Sequence, residues 1–187
     1  MKIQFITTIL IGLFAFGTES KASSLSCNAN QSSYNCMVCN CYHESRGEDF
    51  EGMVAVAKVV VSRSESDLYP NSVCQVIYQR YQFSWTKDKI SNSINAVKAD
   101  EEESFNNCKR ATDVALREGG NGVLYYYNPD KARPAWARAY TPCGSLGNHT
   151  FLTPRGTKCP RTLGSTGRSS GSDSGSNSKS KSSEGRR

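Results

Sequence analysis

Eight cysteines, none earlier than Cys27, set the tightest limit on what this chain can fold into. Cys27, Cys36, Cys39 and Cys41 crowd into one short stretch, while Cys74, Cys108, Cys143 and Cys159 are spread over the remainder. An even count in a chain that opens like an exported protein reads as a disulfide framework of up to four bridges, which staples loops onto a small core. About a hundred pairings are formally open. The expected bridges in the spread set are Cys74 with Cys108 and Cys143 with Cys159. A zinc site from Cys36, Cys39, Cys41 and His43 is the competing use of the crowded set. An oxidising destination argues against it, because zinc needs free thiolates.

The export reading rests on residues 1–22. Lys2 precedes an apolar run from Phe5 to Phe16, and Ala22 supplies a small residue at the expected cut. The run is short for a membrane span, and no second one follows, so stable membrane insertion is not expected. The destination is secreted or periplasmic. From residue 161 to residue 187 the chain is Ser, Gly, Lys and Arg with almost nothing apolar, a composition that cannot offset its ordering entropy. This expected disordered tail holds six basic and two acidic residues, so it carries most of the net charge of +6. The part between, residues 23–160, is nearly neutral and gives no footprint for nucleic acid. Its length suits one domain, expected to be a monomer.

Within residues 23–160 the apolar periodicity is mostly helical. Ser32 or Ser33 is placed to cap a helix whose Tyr34, Met37, Val38, Cys41 and Tyr42 recur on one face. Glu44 flanks that stripe, His43 projects away from it, and Gly47 ends the helix. Phe50 to about Ser62 is apolar nearly all round. Its β-branched residues favour a strand, but its length and alanines favour a buried central helix. Asn71 is placed to cap a short helix burying Val73, Cys74, Ile77 and Tyr78. Asp100 and Glu103 resemble a capping box for a helix through Glu118, with Phe105, Cys108, Ala111 and Ala115 inward and Gly119-Gly120 as the stop. Val123 to Tyr127 reads as extended, and Gly/Pro-rich loops run on to Pro160. The expected fold class is α+β, mainly helical, compact, with one or two short strands and disulfide-tied loops.

Residue chemistry narrows the reactions. No G-x-S-x-G elbow is present for a serine hydrolase, and oxidised cysteines are not nucleophiles. Only His43 and His149 could join a carboxylate around zinc, and no H-E-x-x-H spacing supports that. No metal or other cofactor is expected. Carboxylate chemistry remains. A Glu shielded by apolar groups holds its proton near neutral pH and can deliver it to a leaving oxygen. Glu44 is the carboxyl whose helical position places it there, and a solvated helix-end Glu is the plain alternative. Glu48, Asp49 and Glu51 read as solvent-facing or structural, with an Arg46–Glu48 ion pair holding the turn.

Several ordered motifs then resemble one family. They are Tyr42-His43-Glu44-Ser45-Arg46-Gly47-Glu48, Glu51-Gly52-Met53-Val54-Ala55-Val56-Ala57 with Arg63, and Tyr69-Pro70-Asn71-Ser72-Val73-Cys74. Gln82-Phe83-Ser84-Trp85, Tyr125-Tyr126-Tyr127-Asn128-Pro129, Trp136 and Gly147-Asn148-His149-Thr150-Phe151 follow. Together they are similar to the SleB/CwlJ-type cell wall hydrolases, from about Cys39 to Leu152. The resemblance implies a lysozyme-like fold and cleavage of peptidoglycan glycan strands between N-acetylmuramic acid and N-acetylglucosamine, with Glu44 as general acid/base. It implies either water or the muramic acid C6 hydroxyl as acceptor, so a muramidase or a lytic transglycosylase. Ser45 stands where Ala is usual in the family, Met53 where Gln is frequent, and Ser62 where Asn is frequent. These departures read as packing changes around the site.

On that resemblance Phe83, Trp85 and Trp136 are candidates to stack on sugar rings, though aromatic side chains equally fill cores. Gln82, Tyr127 and Asn128 are candidate hydrogen-bonding partners for N-acetyl groups, and His149 is expected to tie a loop. A second carboxylate is not evident. Two further readings stay open: a zinc-dependent N-acetylmuramoyl-L-alanine amidase, and a non-catalytic wall-binding module.

Overall fold

The structure, a computed structural model, describes residues 23–87, 93–96 and 99–164. The expected signal over residues 1–22 and the tail from residue 165 lie outside the described residues. Strand β1 (Ser23–Ser26) leads into helix α1 (Ser33–Ser45), α2 (Phe50–Ser64) and α3 (Val73–Tyr78). Strand β2 (Ser93–Ala96) precedes the long helix α4 (Ala99–Glu118), and strands β3 (Tyr125–Tyr127), β4 (Thr141–Leu146) and β5 (His149–Thr153) follow. Short 3-10 turns fill Ser84–Lys87 and Ala135–Ala139.

The helix α2 organises everything else. It buries residues all round, from Gly52 through Arg63. One side meets α1, α3 and α4 through Met53, Val54, Ala57 and Val60, and the other meets the sheet through Val56, Val59, Val123 and Phe151. That two-sided burial is why its sequence shows no polar face. Of its two buried long cations, Lys58 and Arg63, Lys58 reaches Glu118 at 2.7 Å, so that charge is paired where it is buried. The caps are local and readable. Ser32, Asp49 and Ser72 each accept a hydrogen bond from the backbone N–H three residues on, at Asn35, Gly52 and Gln75. The short helix α3 is therefore capped by Ser72 instead of Asn71. Along α4 the expected inner face is right: Phe105, Cys108, Ala111 and Ala115 are all buried.

The sheet content exceeds expectation. β1 pairs antiparallel with β2, and β3-β5-β4 form a second antiparallel sheet. The β4–β5 hairpin turns on the two residues Gly147 and Asn148, a dipeptide with a strong hairpin tendency, inside the stretch expected to be loop. β4 carries a register irregularity between Pro142 and Gly144, at Cys143. Residues beyond Pro160 add to the body: Leu163 packs beside Phe151 and Val123, and its carbonyl accepts from Asn121 Nδ2 at 3.2 Å.

Four disulfides join all eight cysteines: Cys27–Cys39, Cys36–Cys74, Cys41–Cys108 and Cys143–Cys159. The last is as expected; a Cys74–Cys108 bridge is not formed. Cys36, Cys39 and Cys41 sit on successive positions around α1, so each faces a different neighbour, α3, the β1 end and α4 in turn. A zinc site in this stretch is ruled out, because these thiols are all oxidised.

Candidate active site

Glu44 sits in the last turn of α1, half-buried, where three cavities meet. One, of about 530 Å³, runs between the end of α1 and the Asn128–Lys131 and Asn148–His149 loops. A second, of about 390 Å³, is bounded by Arg63, Gln82, Phe83, Tyr126, Tyr127 and Asn128. A third, of about 400 Å³, leads past Gln82 and Phe83 to Tyr81 and Lys87. The three form one groove with Glu44 in its floor.

The hydroxyl of Tyr126 donates to Glu44 Oε2 at 3.2 Å. Burial raises the Glu44 pKa above its ordinary value, and the Tyr126 hydrogen bond and the charges of Arg63 and Lys131 only partly oppose this. Tyr126 itself is pushed well above its usual range, first by burial and then by Glu44, so it stays a donor. Glu44 Oε1 has no hydrogen-bond partner among the described residues. The site therefore offers a carboxyl that holds a proton longer than a surface Glu does and has one oxygen free for a ligand.

The second Glu of the motif does something different. Glu48 Oε2 accepts from the backbone N–H of Asn148 at 2.8 Å and Oε1 from Asn148 Nδ2 at 3.1 Å. His149 Nδ1 lies 3.4 Å from Glu48 Oε1, close but not aligned as a hydrogen bond. Gly147 has φ +56°, and a Cβ there would run into Glu48 Oε2. Two motifs a hundred residues apart are thus one device: Glu48 grips the tip of the β4–β5 hairpin. His149 is buried there, edge-on to Tyr126 with ring centroids 5.1 Å apart, which holds the ring that donates to Glu44. Burial lowers the His149 pKa against the pull of Glu48, so its contact with Glu48 is not a firm ion pair. The expected Arg46–Glu48 pair does not form. Arg46 lies over the Tyr42 ring at 5.2 Å and donates to the Tyr42 carbonyl.

The other candidates are divided by their packing. Gln82, Phe83, Tyr127 and Asn128 line the groove with Glu44. Trp85 is buried, donates its indole N–H to Asn40 Oδ1 at 3.1 Å, and stacks on His43 at 4.6 Å. It supports the wall from behind and does not line these cavities. Trp136 is 45% exposed and packs with Tyr125, Tyr127 and Tyr140, reaching the groove only through Tyr127. Sequence reasoning missed Tyr126 and Arg63. Strand alternation is the signal for Tyr126, since Tyr125 and Tyr127 both contact Trp136 while Tyr126 turns to Glu44. Arg63 is buried, flanked by the rings of Tyr69 and Phe83, and donates from Nε to the Leu124 carbonyl at 2.8 Å. Its neighbour Ser62 accepts from the N–H groups of Asn121 and Gly122, and Ser45 donates to the Cys41 carbonyl. These two family departures are thus structural side chains, and the third, Met53, is buried in the core.

Two other carboxylates reach the largest cavity, Glu48, which is held in the hairpin grip, and Asp130, which is exposed. Among the described residues no three His, Cys, Asp or Glu side chains converge as a metal-ion ligand set, and no helix is long and apolar enough to cross a membrane.

A sequence model described as Cell Wall Hydrolase matches residues 47–152, starting just past Glu44. The spore cortex-lytic enzyme of Bacillus subtilis (strain 168) is 31% identical over 116 residues, covering 59% of this chain and 34% of that protein. The corresponding enzyme of Halalkalibacterium halodurans is 29% identical over 133 residues, covering 70% of this chain and 38% of that one. The chain thus spans little more than a third of the length of these curated relatives. Among solved structures, the catalytic domain of the germination-specific lytic transglycosylase SleB from Bacillus anthracis superposes with TM-score 0.53 at 30% identity, covering 66% of this chain and 98% of that one. The catalytic domain of the Bacillus cereus SleB protein gives TM-score 0.53 at 29% identity, covering 68% and 96%. The α+β, lysozyme-like architecture is shared with both.

Proposed function

The chain belongs to the cell wall hydrolase family, and on that premise we propose that it cleaves peptidoglycan glycan strands between N-acetylmuramic acid and N-acetylglucosamine, with Glu44 as general acid and then general base. The observation that carries this reading is the shielded Glu44 carboxyl, hydrogen-bonded by Tyr126, at the junction of an open groove. Its proton passes to the glycosidic oxygen as the C1–O bond breaks. The carboxylate left behind takes a proton from the acceptor oxygen as that oxygen bonds to C1. One group serving both steps suits attack by the C6 hydroxyl of the same muramic acid, which leaves an anhydro end, because the acceptor sits on the sugar already bound. Gln82, Phe83, Tyr127 and Asn128 hold the strand across Glu44, with Trp136 extending the binding wall through Tyr127.

Four disulfides and no free cysteine suit an enzyme working outside a reducing cytosol, secreted or periplasmic. Mass spectrometry of fragments released from purified sacculi tests the reaction. Anhydro ends are expected; reducing ends would assign hydrolysis, and free stem peptides would overturn glycan cleavage. Glu44→Gln should fold normally and release fragments about a thousandfold more slowly.

A further inference from the structure

Tyr81 is the non-glycine residue with left-handed backbone among the described residues, at φ 68°, and it is 67% exposed. An aromatic residue held there is strained and gains nothing from burial, so its position asks for a reason. Two cations answer it: Lys87 Nζ lies 3.9 Å and Arg80 Cζ 4.6 Å from the ring centroid. Neither pairs with a carboxylate among the described residues. The ring seats both charges, each contact being weak when exposed but directional. Tyr81 and Lys87 line the cavity of about 400 Å³ that opens from Glu44, where Glu44 is the sole acidic lining residue among the described residues. The cavity at the opposite end has Glu48 and Asp130 in its wall.

We propose that Arg80 and Lys87, seated on Tyr81, form a binding site for peptide carboxylates at one end of the groove. The enzyme would then favour glycan strands that still carry acidic stem peptides. This inference rests on the proposed glycan-strand substrate. A ring covered by cations is a poor platform for a sugar, so the ligand expected here is an anion. It reaches the site as a substituent of a strand already lying across Glu44.

The test is a binding measurement on the full chain carrying Glu44→Gln, which prevents turnover. The probes are glycan oligomers bearing acidic stem peptides and the same oligomers with the peptide carboxylates converted to amides. The acidic form should bind about fivefold more tightly at low salt, the scale of one or two exposed ion pairs, and the preference should fade as salt rises. Adding Arg80→Ala and Lys87→Ala should abolish the preference, and Tyr81→Gly, which relieves the backbone while removing the seat, should weaken it. Equal binding of both oligomers, or a preference that survives loss of both cations, overturns the site. If neither sacculi nor strands are cleaved by the parent chain but the preference stands, the cleavage reading fails and the carboxylate site does not.

Discussion

The two walls of the groove are held by different chemistry. The wall that carries Glu44 is α1, tied by disulfides at Cys36, Cys39 and Cys41 to three separate parts of the chain. The facing wall is the β3-β5-β4 sheet, whose one disulfide, Cys143–Cys159, closes a short loop far along the chain from Glu44. What brings that wall to α1 is the Glu48 grip on Gly147 and Asn148 and the Tyr126 hydrogen bond. The acid is fixed covalently through its helix, and the groups that tune it are fixed by hydrogen bonds. A general acid must not wander, because misplacement by about 1 Å is expensive in rate. Its hydrogen-bond donor needs only a fixed register.

Both walls can be broken by substitution. In the chain-entropy view, Cys41→Ala with Cys108→Ala releases a span of 67 residues and should cost about 4 kcal/mol, while Cys143→Ala with Cys159→Ala releases 16 residues and should cost about 3 kcal/mol. Denaturant unfolding measures both, and a reversed order would dissolve the contrast between the walls. Next in size is Gly147→Ala. It forces a side chain into left-handed backbone and against Glu48, for a loss of about 2 kcal/mol and a similar weakening of catalysis, read by thermal melts and fragment release together. Undiminished activity would show that the grip does not position the groove.

Tyr126→Phe has a subtler signature. The lost hydrogen bond favoured the charged form of Glu44, so its pKa should rise further and the alkaline fall in the pH–rate profile should move to higher pH. A move to lower pH would contradict the assigned donor. The smallest effect concerns stability. A buried carboxyl with a raised folded pKa costs nothing while protonated in both states, and the cost grows as pH rises from the ordinary carboxylate value, about 4, through the folded one. Glu44→Gln should therefore melt about 3 °C higher at neutral pH, with no gain below the ordinary value. A gain that is the same at both pH values would remove ionisation as the cause.

Much of the helical wall was legible because its signals are local. Ser32 precedes an apolar stripe, α2 is apolar over its whole length, and Phe105, Cys108, Ala111 and Ala115 mark one face of α4. The sheet wall carries weaker local signals. The hairpin signal at Gly147-Asn148 is two residues long, and β4 is interrupted at Cys143, so no clean alternation announces it. Trp85 and Tyr126 show the limit for side chains. An aromatic residue carries the same prior for core and groove until its neighbours are known, and here Asn40 and His43 claim Trp85 while Glu44 claims Tyr126.

Composition and periodicity by themselves determined a cysteine-stapled, mainly helical domain with a carboxyl at the end of its first helix, because such features depend on residue type and on spacing within a single turn or element. The packing of the folded chain sets which cysteines bond, that Glu48 grips a hairpin a hundred residues away, and that Tyr126 donates to Glu44. These depend on distances between segments far apart in the chain, which are set by how α2 is packed on both sides at once.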